Sequence, residues 1–344
     1  MTSTSPTPAP GALDLLVLGG TSWLGGAVAR RAVARGHRVT CLARGESGTP
    51  PEGVEWVRAD RADAAAYDEV RRPWDAVVDV SWQPALVRSA LAALAPGARH
   101  WVYVSSCSVY ADDRTPHADE EAPLHEPFTG SGDADMEAYG PAKVACELAC
   151  VEAMGEEHVL LARAGLIGGY GDRSDRFGYW PARVARSRDG EPVLAPPRDA
   201  PLQVINVEDL ADWLVRAAED GTAGAVNATG DETTVGEVLD LSAREAHRTP
   251  AWREATDDWL TEQQVEPWAG PDSLPLWLPL PAYAGFMTRD NTRAHKAGLQ
   301  PRPLGDTVRD ALRWERELGL DRSRRAGLSP GREAELLRRL TDSL

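Results

Sequence analysis

Short apolar segments alternate with helical patterns through the first half of the chain, and this alternation constrains the fold more than any other feature. Six apolar runs predict buried strands, at residues 13–18, 38–42, 54–57, 75–80, 101–105 and 158–161. Helical patterns lie near residues 24–35, 63–70, 84–94 and 137–154. Strands that alternate with helices form parallel sheets with helices on both faces. The sequence therefore predicts an α/β fold, a Rossmann-type doubly wound parallel sheet.

Beyond residue 163 the pattern changes to loops rich in glycine and proline with short elements. A strand at residues 203–207 and a helix at 209–218 indicate that the chain leaves the sheet and returns to it. With 344 residues, the chain exceeds the roughly 250–300 at which one core stops growing. We therefore predict a sheet domain at residues 12–165 with a returning segment near 203–227, a smaller C-terminal lobe from residues 166–202 and 228–303, and C-terminal helices in residues 304–344.

Composition limits the classes of partner. No run of residues approaches the roughly 18 apolar positions of a membrane span, and residues 1–11, rich in proline, serine and threonine, predict a disordered lead-in rather than a signal peptide. A cytoplasmic protein that binds no membrane is expected. The net charge of −16 repels phosphate backbones, which argues against nucleic acid as the main partner. The four cysteines lack metal-site spacing, so buried free thiols and no metal are expected.

A glycine-rich turn follows the first predicted strand and opens the first predicted helix. Such a turn presents unpaired N–H groups and the positive end of the helix dipole to a pyrophosphate. Its position in the alternation predicts binding of a dinucleotide, with the sheet domain as the dinucleotide-binding domain. The residues predicted to contact the cofactor here are Gly19, Thr21, Ser22, Trp23, Leu24 and Gly25.

The residues after the second and third strands bear on the choice of cofactor. An acid usually follows the second strand and accepts hydrogen bonds from the ribose of NAD, but Arg44 stands here. An arginine suits the extra phosphate, so NADP(H) is preferred and NAD(H) is the alternative. After the third strand, Asp60 and Arg61 are predicted to face the adenine, with a surface ion pair as the alternative.

Lysine is scarce, and one of the two lysines has a chemically suggestive place. Among 37 basic residues only Lys143 and Lys296 are lysines, and Lys143 stands four residues after Tyr139. On a helix this spacing puts both side chains on one face, where the ammonium favours the phenolate form of the tyrosine. Arginine, with its planar guanidinium, cannot replace the compact, movable ammonium of lysine.

Together these motifs resemble the extended short-chain dehydrogenase/reductase family, which includes NAD-dependent epimerases and dehydratases. The resemblance covers about residues 13–230 and includes segments 105–110, 207–210 and 227–230. It implies that Tyr139 exchanges a proton with the substrate oxygen and that Ser106 holds that oxygen. It also implies that Lys143 binds the nicotinamide ribose.

Several positions depart from the pattern of that family. Dehydratases carry an Asp-Glu pair after the active-site serine or threonine, where this chain has Cys107 and Ser108, so sugar dehydration is disfavoured. The segment after the fourth strand usually contains histidine but here is Asp-Val-Ser-Trp at residues 79–82, with Val80 and Ser81 as the expected cofactor contacts. Ser22 replaces the central glycine of the turn, where its side chain either crowds the pyrophosphate or donates to it.

The predicted C-terminal lobe contains most of the aromatic residues and is the expected substrate-binding lobe. Tryptophan combines a large apolar face with one hydrogen-bond donor, which suits a pocket for a ring-containing substrate or the core of a small lobe. Arg173, Asp175 and Arg176 are candidates for binding a polar or anionic end of the substrate, with a solvated loop as the alternative. The other candidate substrate contacts are Trp23, Trp82, Ser108 and Trp180.

These features predict an NAD(P)H-dependent oxidoreductase that reduces a carbonyl or an activated double bond of a small biosynthetic intermediate. The first alternative is a nucleotide-sugar or related sugar epimerase with tightly bound NAD. The second is a non-catalytic relative that senses a dinucleotide or binds RNA. A homodimer is expected, formed through residues 84–94 and 137–154.

Overall fold

The computed structural model describes residues 11–63, 65–130 and 132–342, so nearly all of the predicted lead-in lies outside the described residues. Within these ranges the strands are β1 (Asp14–Leu18), β2 (Arg38–Leu42), β3 (Glu55–Val57), β4 (Ala76–Asp79), β5 (Trp101–Ser106), β6 (Val159–Ala164), β7 (Leu166–Gly168), β8 (Pro192–Ala195), β9 (Pro201–Asn206), β10 (Gly224–Ala228), β11 (Glu232–Thr234), β12 (Ala251–Glu254), β13 (Glu266–Pro267) and β14 (Ser273–Leu274). The α-helices are α1 (Trp23–Ala34), α2 (Pro84–Leu94), α3 (Tyr139–Met154), α4 (Tyr179–Arg186), α5 (Val207–Asp220), α6 (Val235–Ala246), α7 (Asp257–Glu262), α8 (Thr292–Lys296), α9 (Leu304–Leu318) and α10 (Pro330–Asp342).

Seven strands form the main sheet, in the order β10-β6-β5-β4-β1-β2-β3. Every neighbouring pair in this sheet is parallel. The order reverses between β1 and β4, which is the switch point where ligands of doubly wound folds bind. The predicted α/β fold with a Rossmann-type parallel sheet is confirmed.

Helices cover both faces of the main sheet, which explains why its strands are almost continuously apolar. On one face, α1 and α5 pack over a core that includes Val17, Val102 and Leu214. On the other face, α2 and α3 pack over Trp101 and Tyr103. The carboxyl ends of the strands remain available for a ligand site.

Two details of the predicted elements are wrong. In the described part of residues 63–70, only the short 3₁₀ turn Asp68–Val70 is helical. The buried side chain of Tyr67 accepts a hydrogen bond from the buried Arg61 Nε, so side-chain contacts in the interior rather than a helical repeat hold this segment. The pass near residue 203 does not rejoin the main sheet, because β9 pairs with β7 and β11 in a separate three-stranded sheet. The strand that returns is β10, beside β6.

The C-terminal part of the chain has a second core, dominated by aromatic and leucine side chains. Phe177, Trp180 and Trp277 are fully buried in it. The predicted C-terminal helices correspond to α9 and α10, and both contribute leucine or valine side chains to buried clusters. No helix in the described part of the chain is both long enough and apolar enough to span a membrane.

All four cysteines are free and buried. Burial raises the pKa of Cys41 and of Cys107 to about 12 and that of Cys146 to about 11. Burial also raises the pKa of Cys150. Because the thiolate is the reactive form, these thiols are protected in the folded protein.

At about pH 8, close to the ordinary thiol pKa, we expect the folded protein to react very slowly with an aromatic disulfide reagent. All four thiols should react once the chain is unfolded in urea. The unfolded state loses thiol protons first, so stability is retained below the ordinary thiol pKa of 9.0 and decreases as the pH rises towards about 12. Urea titrations across this range measure the decrease, which should be smaller in a Cys41→Ala/Cys107→Ala variant. Rapid labelling of the folded protein would contradict the prediction.

Candidate active site

The turn between β1 and α1 is packed too tightly for side chains at its glycines. Gly19 has φ +91°, and a Cβ added there would lie 2.7 Å from Cγ2 of Val80. A Cβ on Gly25 would clash with the carbonyl oxygen of Gly19, and one on Gly20 would clash with the Cys41 side chain. The turn therefore brings the start of α1 directly against the carboxyl ends of the strands.

Ser22 caps the amino end of α1. Its Oγ accepts a hydrogen bond from the Gly25 backbone N–H at 3.2 Å, which leaves its own hydroxyl proton available. Among the described residues, the backbone N–H groups of Trp23 and Leu24 have no hydrogen-bond partner, as the first turn of a helix leaves them. Thr21 and the Leu24 side chain are buried. These donors and the helix dipole favour an anion at this position.

Arg44 lies beyond the end of β2 with two carboxylates beside it. Its guanidinium is 3.1 Å from Glu46 and 3.7 Å from Asp60, and its side chain remains 54% exposed. Asp60 also accepts a hydrogen bond from the Ala62 backbone N–H. An arginine and an acid thus stand together at this corner of the sheet.

Arg61 was predicted to face the adenine or to form a surface ion pair. It does neither, because it is buried in an ion pair with Asp79 at the end of β4. Its two terminal nitrogens donate to the two Asp79 carboxylate oxygens at 2.9 and 2.8 Å. The same guanidinium donates to the Ser81 hydroxyl, the Leu86 carbonyl and the Tyr67 hydroxyl. All its nitrogens are engaged, so neither an adenine contact nor a surface ion pair matches this placement.

The Asp79 carboxylate is fully buried yet ionised. Burial alone would raise its pKa, but the Arg61 guanidinium and the Ser81 backbone N–H, 2.9 Å away, together hold the pKa below its usual value. Asp79 therefore fixes the backbone of Ser81 as well as pairing with Arg61.

Ser81 in turn positions Lys143. The buried Lys143 Nζ donates to the carbonyl oxygens of Ser81 at 3.0 Å and of Val104 at 2.6 Å. Nζ also lies 4.8 Å from the centre of the Tyr103 ring, and the Tyr103 hydroxyl donates to the Ser81 carbonyl at 3.1 Å. An ammonium has three N–H donors, so one remains for a ligand.

The start of α3 packs against the turn that follows β5. A Cβ on Gly140 would clash with the Ser108 carbonyl oxygen, so Tyr139 begins its helix in direct contact with this turn. Ser106 is half-buried, and its Oγ accepts from the Ser108 backbone N–H at 3.1 Å and lies 3.2 Å from the Ser108 hydroxyl. Ser105 is buried instead. The start of α3, with Tyr139 and Lys143, thus lies against the turn that follows Ser106 at the carboxyl end of β5.

The candidate substrate contacts separate into different environments. Trp82 packs against Tyr139 with ring centres 5.4 Å apart. The Trp23 indole N–H donates to the Tyr170 carbonyl at 2.8 Å, so it links the glycine turn to the loop after β7. Arg173 is exposed on that loop. Trp180 does not face the cleft as predicted, because it is fully buried and donates to the Pro275 carbonyl at 2.8 Å.

The sequence model of the NAD dependent epimerase/dehydratase family matches residues 15–229. This chain belongs to that family. The predicted resemblance to extended short-chain dehydrogenases/reductases is confirmed, and no curated protein is similar enough in sequence to be matched to this epimerase/dehydratase-family protein.

Solved structures share the fold of this family member at low sequence identity. The Bordetella bronchiseptica enzyme WbmG, solved with NAD and UDP, has a TM-score of 0.65 at 16% identity, covering 90% of this chain and 96% of WbmG. WbmH of the same organism, solved with NAD⁺, gives 0.64 at 18% identity, covering 89% and 99%. The Thermus thermophilus UDP-glucose 4-epimerase, solved with NAD, gives 0.60 at 18% identity, covering 88% and 98%.

The sequence reasoning missed the supporting layer of this family member's site. Asp79 was noted only as a departure, although an acid at the end of an apolar strand must find a buried partner. That rule signals that a cation is nearby but does not identify Arg61. Tyr103, which lies beside Lys143, looks like any other aromatic residue of a strand.

Replacing Asp79 should test the supporting ion pair. Asp79→Asn leaves the buried Arg61 charge without its counterion, and we expect the free energy of unfolding to fall by about 3–5 kcal/mol in a urea titration. The control Asp68→Asn removes an exposed partner of Arg71 and should change it by less than about 1 kcal/mol. Equal effects of the two substitutions would contradict the role assigned to Asp79.

Proposed function

We propose that this chain is an NAD(P)-dependent oxidoreductase that reduces a carbonyl or an activated double bond of a small biosynthetic intermediate. The observation that carries the proposal is the placement of Lys143. Its ammonium is buried between two backbone carbonyls at the carboxyl edge of the sheet, 6.0 Å from the centre of the Tyr139 ring, with one N–H donor left over. Lysine is seldom fully buried, so its burial beside the half-buried Tyr139 supports a chemical role.

The described residues fit a dinucleotide. The unpartnered N–H groups of Trp23 and Leu24 and the free hydroxyl proton of Ser22 suit its pyrophosphate. The remaining donor of Lys143 suits a ribose hydroxyl, and Val80, in contact with the turn, suits an apolar face. When bound, the nicotinamide supplies or accepts a hydride.

The residues of the chain handle the proton and the oxygen of the substrate. The Tyr139 hydroxyl donates its proton to the carbonyl oxygen as that oxygen gains negative charge. The Ser106 hydroxyl donates a hydrogen bond to the same oxygen and holds it near Tyr139. Lys143, 6.0 Å from the centre of the Tyr139 ring, places a positive charge where negative charge develops during the proton transfer. Trp82 packs on the Tyr139 ring and helps to hold it in place.

A sugar epimerase with tightly bound NAD is the second candidate. Its support is the shared fold of solved relatives such as the Thermus thermophilus UDP-glucose 4-epimerase, whose structure contains NAD. An epimerase would use the same three side chains, but it would oxidise and re-reduce one carbon without net redox change. The two candidates differ in whether the cofactor dissociates, so analysis of the nucleotide released by denaturing the purified protein distinguishes them.

Tyr139→Phe should keep dinucleotide binding and lose turnover. Removing the proton donor is expected to lower kcat by about 10²–10⁴-fold, measured as NAD(P)H consumption with a panel of carbonyl compounds and enones. Tyr170→Phe is the matched control, because its hydroxyl pairs with Glu317 away from the triad, and it should leave kcat unchanged. If Tyr139→Phe retained full turnover, the proposed role of Tyr139 would be excluded. A parent protein that binds the dinucleotide but turns over no compound of the panel would favour a dinucleotide sensor.

Arg44 is proposed to select NADP(H) over NAD(H). Its guanidinium is more than half exposed and can exchange its acidic neighbours for a phosphate, since such pairs are worth little in water. Arg44→Asp should weaken NADPH binding by about tenfold or more while sparing NADH, measured by titration calorimetry. Arg99→Asp, an exposed position beside the amino end of β5, serves as the control. If NAD stays bound through purification and Arg44→Asp does not change its binding, the epimerase would be favoured.

A further inference from the structure

The loop between β7 and α4 contains three charged candidates, and the structure separates them. Asp175 is buried, pairs with Arg322 and accepts from the Arg325 backbone N–H at 2.7 Å. Arg173 is exposed to solvent, where an unpaired charge costs little. Arg176 is half-buried, yet among the described residues its guanidinium has neither a hydrogen bond nor a carboxylate oxygen within 4.0 Å.

Few arginines of this kind lack a partner in the described part of the chain. Most buried or half-buried arginines are paired, such as Arg61 with Asp79, Arg163 with Glu147 and Arg183 with Glu333. Within the described ranges the half-buried Arg186 also has no hydrogen bond or contacting carboxylate, but the charges around it are those of the second core, Arg183, Arg324 and Glu333, and not the Tyr139 phenol. Burial lowers the pKa of Arg176, and the attraction of Asp172 and of the Tyr139 phenol only partly opposes this effect. A desolvated cation without a counterion is costly, so it needs a compensating reason.

The surroundings of Arg176 are aromatic, and its charge interacts with the Tyr139 phenol of the candidate active site. Its guanidinium lies 5.4 Å from the centre of the Trp268 ring, which packs edge-on against Phe286 at 5.5 Å. The same loop contacts the glycine turn, because a Cβ on Gly171 would lie 2.8 Å from the Trp23 indole nitrogen. Arg176 therefore stands where a substrate beside Tyr139 can reach it.

The backbone around this arginine is fixed before any ligand arrives. Asp175 and Trp268 both have left-handed backbone conformations, with φ +63° and +67°, which non-glycine residues adopt at some energetic cost. The ion pair of Asp175 with Arg322 and the hydrogen bond from the Trp268 N–H to the Trp277 carbonyl, 3.1 Å, hold these conformations. Arg176 and Trp268 are thus presented to the cleft in a set arrangement.

We infer that Arg176 is the substrate-anion site of this enzyme, and that the substrate is a carbonyl compound with a carboxylate or phosphate on a flat, apolar body that packs against Trp268. This inference rests on the proposed function. The anion supplies the counterion that the chain does not provide, and bidentate pairing orients the substrate with its oxygen towards Tyr139 and Ser106.

Stability measurements test the inference without any substrate. Arg176→Met removes an unpaired charge, so its Tm should equal or exceed that of the parent protein. Arg183→Met is the matched control in the same lobe, because it removes a buried, paired arginine and leaves the Glu333 carboxylate without that counterion. The Tm of this variant should fall by several degrees. A fall of the Arg176→Met Tm to the level of Arg183→Met would show a structural arginine and overturn the inference.

Ligand selectivity completes the test, with para-formylbenzoate and the neutral para-formylbenzamide as probes in the presence of NADP⁺ or NADPH. Calorimetry should show that the parent protein binds the anion more tightly, and that Arg176→Met weakens this binding by about tenfold or more while sparing the amide. NADPH consumption should show the same preference in kcat/KM. Binding without any turnover would sustain the anion site and refute the proposed reduction. No preference of the parent protein for the anion would overturn the inference.

Discussion

The buried ammonium of Lys143 is the interaction on which the arrangement of the active site depends. A charge cannot be left unsolvated inside a protein, and here the carbonyl oxygens of Ser81 and Val104 replace water. The Ser81 carbonyl lies just beyond β4 and the Val104 carbonyl belongs to the neighbouring parallel strand β5. The requirement to solvate one cation therefore fixes α3, and with it Tyr139, against the carboxyl edge of the sheet.

A second buried charge pair supports the first. Asp79 and Arg61 neutralise each other, and both also bind Ser81, the residue whose carbonyl receives Lys143. The position of the ammonium is thus set by contacts that begin after β3 and end on α3. Active-site groups need such support, because a small displacement of a proton donor costs much of its effect.

The buried and half-buried arginines of this chain differ in whether they have a carboxylate partner. Most buried arginines of this chain form ion pairs with carboxylates, and these pairs connect elements inside the fold. Arg176 differs from these paired arginines, since its guanidinium has no carboxylate in contact among the described residues and lies 5.4 Å from the centre of the Trp268 ring. The anion site inferred at Arg176 rests on this contrast together with the aromatic ring beside it.

The sequence alone determined the parallel sheet and the turn before α1, and it predicted the triad, because these depend on local patterns. Apolar runs separated by helical periods specify buried parallel strands, glycines mark the turn before α1, and the four-residue spacing puts Tyr139 and Lys143 on one helix face. The Rossmann-type parallel sheet and the family resemblance followed from that information. The predicted roles of individual site residues remain predictions of the same kind.

Only the tertiary structure decided which polar and aromatic side chains meet. Arg61 was expected near the adenine and lies in the interior, Trp180 was expected in the cleft and fills the second core, and β10 rather than β9 rejoins the main sheet. The distinction among Arg173, Asp175 and Arg176 also appeared only in three dimensions. Burial and ion pairing join residues far apart in the chain, such as Asp175 and Arg322. Their energies depend on the final packing, which no local pattern encodes.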